Sequence, residues 1–495
     1  MGRALKRVNS GTREASVNGG ETLSLVLACE RRKGGAHLID ITQNTSAPTQ
    51  RPLGVLRRTV LRGAATLFAS GASVLTAACG GASTPPVSAQ SGASGTVEFW
   101  YAGLGQTFID AYNAMAKSLA EKNPKISVNV LLTDGFPDKV VIAAAAGSPP
   151  DSFNIQLIDA LTFLPKGIYE PLDTHIKARK YDMKVLWPGL AEQYQYQGKQ
   201  LVLWSQATVT MLHYNADLFR DNGLVTPSDL AAQNKWTREA CLDSAQKLTK
   251  EGLYGFWSLT TPQSLQPWLW MNGGAGFDSE EKPARVTMAS NPSSLAAMQW
   301  QADIRNRYRV APTPRQLTAE LTSQQAGFAN RKLAMYTEQS NIDAVHQAVQ
   351  NTGAFKWDLA PLPSGPKGLS SFIGGQSIGV CAGGKNKDAA LDWLFWAVSP
   401  PGQIEIVKRQ IGVPVLKSMI ETPEWKTAST KAPHANAVVD MMSRARPIAK
   451  TYLWRTLATN AFNENITKMN NGDLSAKEAW QLMDALGTKT LVAGV

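Results

Sequence analysis

The chain has little cysteine and little histidine, four and five residues in 495. No Cys-x-x-Cys pair and no His-Glu-x-x-His pair occurs, so the spacing offers no zinc site. Gly103-Leu104-Gly105 lacks the third glycine of a dinucleotide fingerprint. Aromatic residues are missing from one end. Residues 1–79 contain a single one, Phe68, whereas all fourteen Trp and all eleven Tyr lie at or after Trp100. A segment that poor in aromatics does not build a core. The body shows no internal repeat and no low-complexity tract.

The formal charge of +11 suggests a nucleic-acid binder until it is located. Residues 1–79 hold eleven Lys/Arg against four Asp/Glu, and the remainder holds 39 against 35. The basicity therefore belongs mostly to the N-terminal segment, and nucleic acid is not expected as a partner. Residues 1–50 read as disordered, or as the product of a start codon placed too far upstream. Arg57 and Arg58 then precede sixteen uncharged residues, Gly63 to Ala78, which end in Leu75-Thr76-Ala77-Ala78-Cys79. A charged start, a short apolar run and small residues at the end describe an export signal, and the run is too short for a membrane span. The paired arginines resemble a twin-arginine signal. The ending resembles a lipobox that makes Cys79 a lipid anchor, with Thr76 where Leu is usual. Residues 80–95, rich in Gly, Ala, Ser and Pro, suit a flexible tether. Cys241 and Cys381 remain and are expected as buried, reduced thiols.

The body is α/β. Val97, Phe99 and Tyr101 alternate with Glu98, Trp100 and Ala102 as a strand does. Phe108, Tyr112, Met115 and Leu119 recur at helical spacing, and Asn123-Pro124 stops that helix. Ile126, Val128, Val130 and Leu132 alternate again. Strand, helix, strand is the unit of a sheet with crossover helices. Further strands are expected at 151–157, 209–214, 255–259 and 378–381. Helices are expected at 140–146, 236–250, 293–307 and 388–398, and mostly helix from Glu424 onward.

Several short passages in one order carry a family resemblance. They are Val97-Glu98-Phe99-Trp100-Tyr101, Asn123-Pro124-Lys125-Ile126, Ala146-Gly147-Ser148-Pro149-Pro150-Asp151, Tyr214-Asn215-Ala216-Asp217-Leu218-Phe219, Asn272-Gly273-Gly274, Lys332-Leu333-Ala334-Met335, Trp357-Asp358, Pro361-Leu362-Pro363 and Gly412-Val413-Pro414. The chain resembles the extracellular solute-binding proteins of ABC transporters, and within them the carbohydrate-binding, maltose-binding-protein-like cluster. Trp204 stands where that family often has Pro. The resemblance implies a two-lobed periplasmic-binding-protein-like fold with hinge strands and a ligand cleft between the lobes. Residues 96–206 and 361–412 would form the first lobe, and 207–360 and 413–495 the second. It also implies a monomer with no cofactor or metal, working with ABC permease subunits.

A sugar needs flat apolar plates for its C–H faces and polar groups for its hydroxyl rim. The motif positions supply Tyr101 and Gly103 after the first strand, Gln156 after the second turn, and Ser205, Gln206 and Thr208 at the hinge. They also supply Gln263, Gln266, Trp268 and Trp270 in one run, Tyr336, Glu338 and Asn341 in another, and the loop Gly374-Gly375-Gln376. This set is rich in Trp, Gln, Ser and Asn and poor in Arg and Lys, which favours a neutral ligand over a phosphate or carboxylate. Two alternatives stay open. One is an enzyme: Gly375-Gln376-Ser377-Ile378-Gly379 fits a nucleophile motif whose Ser must sit between a strand and a helix, and a secreted carbohydrate hydrolase would instead need two opposed carboxylates. The other is a binding protein of the same fold for a polyol phosphate, a peptide or an iron chelate.

Overall fold

The computed structural model describes residues 92–102, 105–353 and 355–494. Arg57, Arg58, Cys79, Gly103 and most of the expected tether lie outside the described residues.

Alternation builds the first strand as expected: in β1 (Gly95–Tyr101), Val97, Phe99 and Tyr101 are buried and Glu98 is exposed. The helix Gln106–Lys122 buries Phe108, Tyr112, Met115 and Leu119 and ends before Pro124. It leads to β2 (Ile126–Leu132), which pairs in parallel with β1. On the far side of β1 lies β3 (Ser152–Gln156), also parallel. β2 forms the sheet edge, so its alternation is only half covered and Leu132 remains 59% exposed.

Six more strands complete the sheet: β4 (Leu203–Asn215), β5 (Tyr254–Trp257), β6 (Leu333–Gln339), β7 (Trp357–Ala360), β8 (Ser371–Val380) and β9 (Ala445–Arg446). The order is β2-β1-β3-β8-β4-β6-β5, with β7 also on β4 and β9 also on β8. β4 is the spine. Leu203 to Val209 pairs with β8, and Thr210 to Asn215 pairs with β6 and β7, all antiparallel. One end of the sheet thus belongs to the first lobe and the other to the second. Every residue of β4 is buried, so neither face alternates.

Three passes of the chain meet where the lobes join. Ala207 and Val413 exchange backbone hydrogen bonds of 2.9 and 2.7 Å. Gly374 and Gly375 of β8 pair with Thr208 and Ala207. Gly375 has φ +128°, and a Cβ there would lie 2.3 Å from the Gln206 carbonyl oxygen. A Cβ at Gly412 would lie 2.8 Å from the Ala207 carbonyl oxygen. Only glycine permits this approach.

Packing moves two of the expected lobe boundaries. Residues 361–370 hydrogen-bond into the second lobe, through Ser364 N–H to the Trp236 carbonyl and Lys367 N–H to the Met271 carbonyl. The crossing back therefore begins near Ser371 and not at 361. Residues 413–417 lie on the first lobe, where the Trp187 indole donates to the Pro414 carbonyl and the Lys417 ammonium to the Lys184 carbonyl. The later helices touch both lobes. Arg455 pairs with Asp138 at 2.8 Å, while the Asp484 carboxylate accepts the Met288 N–H, also at 2.8 Å.

Cys241 and Cys381 are free and buried, and burial pushes both thiols up. Ser377 lies within β8, fully buried, and donates to the Tyr194 hydroxyl at 2.7 Å. The strand runs on to Val380 with no helix following the serine, so the nucleophile-motif reading does not fit.

Gly375→Ala should lower the unfolding free energy by about 1–3 kcal/mol. Urea unfolding monitored by Trp fluorescence measures this. Unchanged stability would mean that the two strands can part at no cost.

Candidate functional site

A cavity of about 390 Å³ lies beside this junction, within the range of about 300–1,000 Å³ common for small-molecule sites. Strand ends supply much of its polar wall: Gln156 closes β3, and Glu338 and Gln339 close β6. This is the carboxyl edge at which α/β sheets bind ligands. The hinge strands contribute Gln206 and Thr208 from β4 and Phe372, Gly374, Gly375 and Gln376 from β8. Four helices turn their first residues toward it, through Phe108, through Leu157 and Ile158, through Gln325, and through Ala344.

Strand period explains which hinge residues reach the cavity. Gln206 and Thr208 are two apart and share a face. Ser205 points the other way, and its hydroxyl meets that of Tyr112 at 3.0 Å in the first-lobe core. The Thr208 hydroxyl donates to the Gln339 side-chain oxygen, and the Gln339 amide donates to the Thr210 hydroxyl at 3.3 Å. Gln339 is thereby fixed across the β4–β6 pair. The side-chain oxygens of Gln206, Gln376 and Asn341 are buried and have no hydrogen-bond partner among the described residues. Polar groups so placed leave hydrogen-bonding capacity unused.

Among the described lining residues Glu338 alone is charged, and none is Lys or Arg. One of its oxygens accepts the Gln339 N–H at 2.8 Å. Burial pushes this carboxyl above the ordinary glutamate range, and the backbone bond offsets only part of that.

Of the residues expected at the site, Gln156, Gln206, Thr208, Gln263, Glu338, Asn341, Gly374, Gly375 and Gln376 line the cavity. Six others are placed elsewhere. Tyr101 packs on Tyr112 with ring centres 5.4 Å apart, and Ser205 joins the same core. Gln266 is buried and donates to the Pro262 carbonyl. Trp268 stacks on Trp300 at 5.1 Å and is 1% exposed. Trp270 lies under the Arg446 guanidinium at 5.7 Å. The helix Gln266–Met271 is buried on all sides, so neither Trp is free to serve as a plate. Tyr336 is sandwiched by His213 and Phe328 at 4.8 and 4.9 Å.

The aromatic rings on the wall are instead Phe108 and Phe372. Phe108 reads in sequence as one core position of an amphipathic helix, and nothing in its spacing sets it apart. Gln339 could have been found, since it adjoins Glu338 at the end of the same strand. Among the described residues no group of His, Cys, Asp and Glu is arranged to hold a metal ion. No helix among them is long and apolar enough to cross a membrane.

A two-lobed fold with a polar cavity at the lobe junction is the architecture of a solute-binding protein. The family profile for bacterial extracellular solute-binding proteins matches residues 114–434, and the chain belongs to that family. Its place of work is therefore outside the cytoplasm. Among solved structures, it is similar to an ABC substrate-binding protein of Listeria monocytogenes in complex with cycloalternan. The identity is 20% and the TM-score 0.70, covering 80% of this chain and 99% of the other. The GacH receptor of Streptomyces glaucescens, solved unliganded and with acarbose, gives 22% identity and a TM-score of 0.68, over 81% and 99%. UgpB of Mycobacterium tuberculosis, in complex with glycerophosphocholine, gives 16% and 0.65, again over 81% and 99%. These likenesses establish the fold. No curated protein sequence matches the chain.

Glu338 sets a pH dependence. Its carboxyl holds a proton more tightly in the folded state than in the unfolded chain. The folded state therefore loses stability as pH rises from the unfolded value, about 4.3, through the folded one. Glu338→Gln should raise the melting temperature at pH 7 and leave it unchanged below about pH 4. Calorimetry of both proteins across that range measures it, and an equal shift at both ends would count against a buried ionised carboxylate.

Proposed function

We propose that this protein captures a sugar or oligosaccharide in the interlobe cavity and delivers it to the membrane subunits of an ABC importer. The observation that carries the reading is the cavity wall. Gln206, Gln376 and Asn341 line it with side-chain oxygens that have no hydrogen-bond partner among the described residues, two Phe rings provide apolar surface, and no Lys or Arg lines it among the described residues. Amides can both donate to and accept from hydroxyls, and rings suit the C–H faces of a pyranose. A phosphate ester, or the glycerophospho group carried by the UgpB ligand, would call for a cation on the wall. The oligosaccharide complex of the Listeria protein fits the same choice.

The ligand is released unchanged in this reading, because the cavity is built for binding and the serine motif is sequestered in a strand. The protein acts as a monomer and needs no cofactor. It is exported by the twin-arginine route through Arg57 and Arg58 and held at the membrane by lipid on Cys79. The first lobe then runs to the hinge at about 206 and the second takes over from there.

Thermal unfolding against a panel of mono- and oligosaccharides tests the ligand class. A sugar at about 100 times its dissociation constant should add roughly 2.7 kcal/mol and raise the midpoint. The same sugar should be recovered intact by chromatography. Gln206→Ala and Gln376→Ala should each weaken binding by about tenfold. A shift by a phosphate ester or a peptide, with none by sugars, would overturn the sugar assignment, and release of a cleaved product would overturn the binding role. Separately, Cys79→Ser should move the protein from the membrane fraction to the soluble one. Retention at the membrane would rule out the anchor.

A further inference from the structure

The amides on the cavity wall serve neutral hydroxyls, but Glu338 exceeds what they require. It projects from the end of β6 into the cavity as the single charged group among the described lining residues. Among the described residues no Lys or Arg pairs with it, and the hydrogen bond it is given comes from its neighbour's backbone at 2.8 Å. The ion pairs of this region lie off the wall. Lys431 pairs with Asp343 at 2.6 Å, and neither residue lines the cavity. A half-buried carboxylate with no counter-ion carries a desolvation cost, and an amide at this position would bind hydroxyls without that cost.

The surroundings also suit a cation. Two donors of the hinge are already committed, since the Thr208 hydroxyl donates to Gln339 and the Gln339 amide donates to Thr210. A group entering beside Glu338 gains most by bringing its own donors, and an ammonium brings three with a positive charge. The Phe372 ring lies on the same cavity wall, beside Gly374. A Cβ built on Gly374 would come within 2.7 Å of the Gln339 oxygen, 3.0 Å of the Thr208 hydroxyl and 3.2 Å of the Phe372 ring.

We propose that Glu338 makes the cavity selective for a sugar that carries a protonated amine, its carboxylate pairing with the ammonium in the closed cleft. This rests on the sugar reading and narrows it. A neutral hydroxyl in the same place would leave the carboxylate unneutralised, and an N-acetyl group would present an amide with no charge and added bulk.

Isothermal titration of the purified protein tests this with matched sets: hexoses, their amino sugars and their N-acetyl forms, as monomers and as short oligomers. The expected result is one amino sugar that binds at least about tenfold tighter than its hydroxyl and N-acetyl counterparts. In E338Q that preference should disappear, leaving the amino and hydroxyl forms within about threefold of each other. Unfolding of E338Q by calorimetry establishes that it is folded. If neutral sugars bind at least as tightly as their amino forms, the inference fails and the sugar reading stands. It fails likewise if E338Q keeps the preference. If no sugar of any kind binds, the sugar reading fails and the inference with it.

Discussion

The close contact of three backbones between the lobes governs the rest of the molecule. β4 and β8 run side by side there, and the Gly412-Val413 segment lies against the same residues. A side chain at Gly375 would collide with the Gln206 carbonyl, so the strands approach closely only because that position is bare. The residues that must lie at the junction are thereby the ones that face the cavity. Gln206 and Thr208 come from β4 and Gly374 to Gln376 from β8, and the hinge is itself part of the binding wall. A ligand touching these residues touches the strands that join the two lobes. Contacts made to both lobes at once are the kind through which a ligand shifts a two-state equilibrium.

The helices around the cavity add a field to this geometry. The four that end on it do so at their N-terminal turns, where partial positive charge collects. That field suits the oxygen atoms of hydroxyls and acts against the cost of the lone carboxylate. It is too diffuse to replace a counter-ion. The helix Leu157–Phe163 is only seven residues long, and the helix Gln324–Ala329 only six. The charge on Glu338 is therefore softened and left available to a ligand.

Much of the fold was legible because it rests on local periodicity. β1, the helix Gln106–Lys122 and the helix Arg238–Leu248 with Thr237 as its cap follow from spacing and capping alone. The hinge strands were read too short, as 209–214 and 378–381 against Leu203–Asn215 and Ser371–Val380. Both faces of those strands are covered, so their sequence has no alternation to mark where they begin. The site divides in the same way. Polar residues in family positions at strand ends and hinges reached the cavity wall. The aromatic choices did not, because a Trp has the same composition signature whether it plates a ligand or fills a core. Trp268 and Trp270 lie two apart in a short helix whose whole circumference is buried, which no periodic pattern in six residues reveals.

What holds the lobes together away from the hinge bears on how the cavity responds to its ligand. The Thr107 hydroxyl, on the first lobe, meets the Asp343 carboxylate of the second at 3.3 Å, and the Gln347 amide reaches Thr107 at 3.4 Å. These bonds are long, and the second is exposed, so each is worth little. The strong partner of Asp343 is Lys431, at 2.6 Å, so closure does not depend on Thr107 to neutralise that carboxylate. A weak rim and a tight hinge leave the balance between open and closed states to groups inside the cavity. The buried amides of Gln206, Gln376 and Asn341 and the unpaired carboxylate of Glu338 remain costly until something satisfies them. Each costs least when a ligand spans both lobes, and the free energy of closure is then supplied at the wall and not at the rim.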